Sequence, residues 1–244
     1  MKCRNCGCEL ESESSFCPRC GTPADDSWES HFFAGVLADF GGDAEGAIEK
    51  YRLALEAAPG NDYVLVHLGQ TYYHRGQLKE ATEVLEKATK TNPRSAPGFY
   101  FLGLCYYRAA QVDEAIECFQ KTLALEPEAT HSYYWLGLMY YHLGKLNEAL
   151  TAFDQLLERN PDFTIANYQR GLVRSRLGFK DEAAADFEKV VEKNPRSAQA
   201  YAQLGEAYFS LGDNYRAAAA LKRALELDPE DKKSKAVLDL IYSG

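Results

Sequence analysis

The sequence predicts an all-α solenoid of six helix-turn-helix repeats, closed by a C-terminal helix and preceded by a small cysteine knuckle. Three observations predict it. Glycine recurs at Gly35, Gly69, Gly103, Gly137, Gly171 and Gly205, each step being 34 residues. Alanine keeps the same step at Ala47, Ala81, Ala115, Ala149, Ala183 and Ala217. Proline keeps it at Pro59, Pro93, Pro127, Pro161, Pro195 and Pro229. A fixed period of this size marks a chain built from stacked supersecondary units rather than one closed core.

In chain order, the first element is the knuckle, residues 1–22. Cys3-x-x-Cys6-Gly7 and Cys17-x-x-Cys20-Gly21 pair two thiols with two. Four thiolates at this spacing can close a tetrahedron on Zn2+ and leave no open coordination position, so the metal would be structural. Leu10 and Phe16 are the only large apolar residues of the segment. That is too little for a core, so its fold should depend on the metal. The segment resembles the short zinc ribbons found at the N-termini of many prokaryotic proteins. Cys8 is an alternative to Cys6 as ligand. Iron in a rubredoxin-like site and an unmetallated or redox-active arrangement are the rival readings. Residues 23–27 then read as a linker ending in a helix cap at Ser27.

The repeats follow at 28–61, 62–95, 96–129, 130–163, 164–197 and 198–229. In each, the glycine sits midway along a first helix, where it costs about 1 kcal/mol against alanine. Such a residue is expected where another backbone packs close. The alanine is the small residue facing it from the second helix. Four residues after the alanine comes Tyr51, Leu85, Phe119, Phe153, Phe187 or Leu221, on the same helical face, to fill the groove. The proline ends the second helix. Between the helices, Gly42, Gly76, Gly144, Gly178 and Gly212 supply a left-handed residue after the first helix. Ala110 stands there in the third repeat, so that turn should be slightly strained or differently shaped. Asp113, Asn147 and Asp181 are the expected N-caps of their second helices. Cys105 and Cys118 are expected as small buried packing residues. Residues 230–244 form the closing helix, with Ala236, Val237, Leu240 and Ile241 as its apolar stripe.

The copies Leu65-Val66-His67-Leu68-Gly69-Gln70-Thr71-Tyr72 and Tyr133-Tyr134-Trp135-Leu136-Gly137-Leu138-Met139-Tyr140, each followed by its alanine, apolar residue and proline, resemble the tetratricopeptide repeat family. The resemblance covers residues 28–229. Departures fall in the first repeat, at His31, Ala34 and Ala38, and in the fifth, at Asn167, Arg170 and Arg174.

The resemblance implies a right-handed superhelix whose first helices line a concave face. It places Tyr73, Tyr100, Tyr107, Tyr134, Tyr141 and Tyr168 there, flanked by Arg108, His142 and Arg176. These tyrosines are expected to be partly exposed and to bind a protein or peptide segment, an acidic one suiting the flanking cations. Tyr72, Tyr106 and Tyr140 are expected to fill the core instead. The carboxylate clamp known in the family is not expected, because Tyr100 and Leu104, Tyr134 and Leu138, and Tyr168 and Leu172 stand where its Lys, Asn and Arg would be.

Composition sets the remaining bounds. The chain has 244 residues, a formal charge of −9, 46% hydrophobic and 26% charged residues, as an ordinary folded protein has. Its acidity speaks against broad nucleic-acid binding, and the knuckle and linker carry Lys2, Arg4 and Arg19 against Glu9, Glu11, Glu13, Asp25 and Asp26. A zinc-ribbon regulator acting on nucleic acid, or on a transcription or translation complex, is therefore the alternative reading. No apolar run suits a membrane span and no h-region follows Met1, which points to the cytoplasm. No nucleophile–base pair, phosphate loop or His-Glu-x-x-His motif is present, and the five histidines lack ligand spacing, so neither catalysis nor a small-molecule substrate is expected.

Overall fold

A computed structural model of the chain describes residues 7–9, 17–21 and 27–243. Among the described residues there are thirteen α-helices. The first helices of the repeats are α1 (Trp28–Phe40), α3 (Asp62–His74), α5 (Ala96–Arg108), α7 (Thr130–His142), α9 (Thr164–Leu177) and α11 (Ala198–Ser210). The second helices are α2 (Ala44–Ala57), α4 (Leu78–Thr91), α6 (Val112–Leu125), α8 (Leu146–Arg159), α10 (Lys180–Lys193) and α12 (Asn214–Leu227), and α13 (Lys232–Ser243) ends the chain. The chain divides into two compact units, Met1–Pro127 and Glu128–Gly244.

Each second helix stops two residues before its proline. The intervening residue, such as Asn160 at φ −136° and ψ 82°, has left the helical region. The proline ring disfavours α backbone in the residue before it, so the stop is local and chemical. At the other turn the five glycines hold positive φ, and Ala110 is held at +60°.

The expected N-caps are corrected. α6, α8 and α10 are capped at Gln111, Lys145 and Phe179, without a side-chain hydrogen bond, and Asp113, Asn147 and Asp181 lie inside the first turn. The reason is the shortness of the connection. The Lys145 amide donates to the Tyr140 carbonyl at 2.8 Å and closes α7, so the residue after the left-handed glycine also starts α8. Asp113 and Asp181 instead set negative charge against the positive end of their helices. Side-chain caps occur elsewhere, as where Asn61 accepts from the Val64 amide at 3.2 Å and Asp213 from the Arg216 amide at 3.0 Å.

In the first unit α2 packs on α3 and α4 on α5; in the second, α8 packs on α9, α10 on α11 and α12 on α13. The periodic alanines are fully buried, as are Tyr51, Leu85, Phe119, Phe153, Phe187 and Leu221. The glycines owe their place to those larger side chains. A Cβ on Gly137 would sit 2.7 Å from the Phe153 ring, and one on Gly69 2.5 Å from Leu85. The contact partner is therefore mainly a side chain sixteen residues on, where a neighbouring backbone was expected. Cys105 and Cys118 are buried in the first unit's core, which pushes their thiols up to about 11 and about 12.

A second device joins successive repeats. Arg52 donates to the Tyr72 hydroxyl at 2.8 Å, and the Tyr106 hydroxyl donates to Glu86 at 3.0 Å. The Tyr208 hydroxyl bonds Glu188 in the same register. In the fifth repeat that tyrosine is Arg174, and the bond becomes part of an ion network. Arg170 grips Asp186 through two nitrogens at 2.6 and 2.9 Å and reaches Asp154 at 2.8 Å, while Arg174 reaches Asp186 at 2.7 Å. Asp186 is 1% exposed. Burial opposes the Arg170 charge, but the two carboxylates outweigh it and hold the guanidinium above its ordinary value. The departures Arg170 and Arg174 thus answer one another through a carboxylate at a site where Ala152 and Ala220 stand in other repeats.

The closing helix is rotated from expectation. Ser234 is buried and Val237, Leu238 and Ile241 are half-buried, whereas Ala236 and Leu240 face outward. Among the described residues no helix is long and apolar enough to cross a membrane.

Candidate partner-binding site

All six ladder tyrosines are half-buried, and Arg108, His142 and Arg176 are exposed. Tyr72 is buried, whereas Tyr106 and Tyr140 are half-buried. Seven residues separate Tyr100 from Tyr107 and Tyr134 from Tyr141, nearly two helical turns, so each pair shares a face.

In the first unit the site is built on α3 and α5. The Tyr100 ring stands edge-on to the buried Phe119 at 5.9 Å, so its inner side is fixed by the core. Phe101 joins the two helices: its ring meets Tyr73 at 6.3 Å, His74 at 6.2 Å and Tyr100 at 5.4 Å. The Arg108 guanidinium lies 5.3 Å from the centre of the Tyr73 ring, and its nitrogen donates to the Tyr73 carbonyl at 3.5 Å. Leu104 is buried.

In the second unit the site is built on α7 and α9. Tyr134 meets Trp135 at 5.5 Å, Phe163 at 5.8 Å and Phe153 at 6.4 Å. Tyr168 stands edge-on to the buried Phe187 at 5.7 Å. The Arg176 guanidinium lies 4.1 Å from the centre of the Tyr141 ring, and His142 meets the same ring edge-on at 5.7 Å. Burial, together with the charges of Tyr141 and Glu206, raises Tyr168 above the ordinary phenol value.

The sequence reading missed Phe101 and Trp135. Both immediately follow a ladder tyrosine, and the doublets Tyr100-Phe101 and Tyr134-Trp135 were a visible signal. It also missed the charge pattern around the rings. α5, α7 and α9 contain no Asp or Glu, although the chain carries a net −9. The carboxylates gather on the second helices, as at Glu80, Glu83 and Glu86 of α4 and Asp181, Glu182, Glu188 and Glu192 of α10.

Of the expected metal ligands, Cys17 and Cys20 are described, and Cys3 and Cys6 lie outside the described residues. The Cys8 and Cys17 sulfurs are 3.0 Å apart. The Cys8 contact outweighs burial and, with backbone amides, lowers the Cys17 thiol to about 6. Among the described residues no group of three or more His, Cys, Asp or Glu is placed to hold a metal.

Two family models match the chain. A tetratricopeptide repeat model matches residues 103–164 and 168–232, and a model of subunit 3 of the anaphase-promoting complex, or cyclosome, matches residues 42–122. No curated protein matches. Among solved structures, MamA is 33% identical, with 68% of this chain and 96% of MamA covered at a TM-score of 0.62. YrrB, described as a TPR protein with an unusual peptide-binding site, is 24% identical, with 79% of this chain and all of YrrB covered at 0.74. PilF of Pseudomonas aeruginosa is 18% identical, with 87% of this chain and 97% of PilF covered at 0.72, a likeness of fold alone.

Proposed function

Because the chain belongs to the tetratricopeptide repeat family, we propose that it is a non-enzymatic protein-interaction scaffold that holds an acidic peptide or partner segment on the aromatic face of its first helices. The observation that carries this reading is the pairing of half-buried rings with exposed arginines on helices that lack carboxylates. Tyrosine offers rigid contact area at low entropic cost. The rings would take apolar side chains of the partner, and Arg108 and Arg176 would take its carboxylates. YrrB, described by its peptide-binding site, supports a peptide as the kind of partner.

The same proposal gives the N-terminal cysteines a structural Zn2+. Cys17 and Cys20, with the two cysteines outside the described residues, have the residue types and spacing that tetrahedral thiolate coordination needs, and Cys8 lies within reach of Cys17 as an alternative. The bound ion would cross-link a segment too small to hold a core.

The test is an affinity pull-down with the wild-type chain beside the Tyr100→Ala/Tyr134→Ala variant, followed by titration of the recovered partner. Each ring should contribute about 1–2 kcal/mol to binding while the fold persists. Undiminished binding by a folded double variant would refute this use of the rings.

A further inference from the structure

The fifth repeat keeps a cation whose ring is missing. In the register of Asn167 the second, third, fourth and sixth repeats hold Leu65, Phe99, Tyr133 and Tyr201. Leu65 and Phe99 are buried, and Tyr133 and Tyr201 are half-buried. In two of these repeats a basic residue of the second helix covers the ring. Lys121 lies 5.1 Å from the centre of the Phe99 ring, and Arg223 stands against the Tyr201 hydroxyl. Lys189 is their counterpart, 22 residues after Asn167 as Lys121 follows Phe99 and Arg223 follows Tyr201. Beside Asn167 the second unit has a cleft of about 260 Å³. Leu157 and Pro161 line it from the fourth repeat, Asn167 and Arg170 from α9, and Lys189 from α10.

The cleft also adjoins an acceptor in need of a donor. Asn167 is 3% exposed. Its Nδ2 donates to the Pro161 carbonyl at 3.2 Å and to the Phe163 carbonyl at 3.4 Å. Two carbonyls at one end fix which end of the amide is nitrogen. The other end, Oδ1, is buried, and among the described residues nothing donates to it. A buried acceptor without a donor is unfavourable, and native structures leave few of them.

We propose that this cleft is a docking pocket for a tyrosine side chain of a protein partner. The ring fills the space that Tyr133 and Tyr201 fill in the flanking repeats, and its hydroxyl donates to Asn167 Oδ1. Lys189 is exposed, so it can swing out to admit the ring and then close over its face. A phenylalanine would fill the space and leave the acceptor unmet. A lysine or arginine would meet Lys189 with like charge. None of the lining residues belongs to the aromatic ladder, so this contact is independent of the one proposed there.

N-acetyl-tyrosinamide and N-acetyl-phenylalaninamide, titrated into the full chain, test this by nitrogen–proton correlation spectroscopy. The tyrosine probe should shift the Asn167 side-chain amide and the backbone amides at the start of α9. It should bind about three- to tenfold more tightly than the phenylalanine probe, as one neutral hydrogen bond allows. Glu158, exposed at the cleft, is the rival acceptor, and Glu158→Gln should leave that preference unchanged. Lys189→Ala should weaken binding several-fold. Asn167→Tyr, and Asn167→Leu as a second filling, install the residue types of other repeats. Each should abolish the backbone shifts while the urea midpoint stays at or above that of the wild type. Tyr100→Ala/Tyr134→Ala should leave the shifts intact, which separates this pocket from the ladder. A chain unperturbed by the tyrosine probe, equal affinity for the two probes, or a folded Asn167→Tyr or Asn167→Leu chain that still binds overturns the proposal. Self-association that Asn167→Tyr abolishes would give the pocket to a second copy of this chain and overturn a separate partner.

Discussion

The Arg176 guanidinium is stacked 4.1 Å from the centre of the Tyr141 ring, one first helix reaching across to the previous one. A cation over a tyrosine face is worth about 0.5–1 kcal/mol at an exposed site. Stacking on one face leaves the guanidinium edge able to donate to a carboxylate. Arg176→Ala should therefore weaken an acidic peptide several-fold, and Arg176→Lys should recover only part of the loss, because an ammonium lacks the planar fork. Fluorescence anisotropy at low and high salt measures this. The wild type should lose affinity only moderately with salt, since ring contacts are not screened. Equal affinity of wild type and Arg176→Ala for that peptide would remove the arginine from the recognition surface.

Gly137 faces the buried Phe153 ring, with 2.7 Å left for an added Cβ. Phe153 is fully buried and has nowhere to retreat. Gly137→Leu should destabilise by at least about 1–3 kcal/mol through overpacking, read as a lowered denaturation midpoint in urea. A wild-type midpoint would show that the ring yields and that the packing role assigned to the glycine is wrong.

Ala110 holds φ +60° at a turn where the other repeats place glycine. The left-handed backbone costs an L-residue about 1–2 kcal/mol. Glycine regains part of that and loses some through its freer unfolded chain. Ala110→Gly should accordingly raise stability by up to about 1 kcal/mol. The measurement is the urea midpoint at an unchanged slope, and a fall in midpoint would contradict the strain.

Asp186 pairs with two arginines inside the fifth repeat. Removing one member of a buried ion pair typically costs about 3–5 kcal/mol when the remaining charge is left unpaired. Asp154 still reaches Arg170 at 2.8 Å, so Asp186→Ala should be destabilising by somewhat less than that range. Arg170→Leu/Arg174→Tyr/Asp186→Ala, which installs the residue types of neighbouring repeats, should recover most of it. Thermal unfolding of both variants decides the matter: if the single variant is as stable as the wild type, the network is not structural.

Freshly purified full-length chain should carry about one zinc, retained through a mild chelator wash. Cys17→Ser should lose it while the helical signal of the repeats persists. Elemental analysis finding iron, or no metal, would refute the zinc reading. Cys6→Ser beside Cys8→Ser would show which of the two is the fourth ligand.

The sequence by itself determined the helical hairpins and their period. The reason is that each of these features is local. A left-handed glycine, a proline two residues past a helix end and a buried alanine act within a few residues, and repetition makes them legible at Gly144, Pro161 and Ala149 without knowledge of neighbours. What crosses between repeats was not legible. The closing helix turned Leu240 outward and Ser234 inward. Arg170 and Arg174 looked like isolated departures until Asp154 and Asp186 came to face them. The stacking of Arg176 on Tyr141 lies across a gap of 35 positions. Only the tertiary structure decides such contacts, because they depend on how one hairpin docks on the next, and a period fixes the order of the hairpins but not which side chains meet.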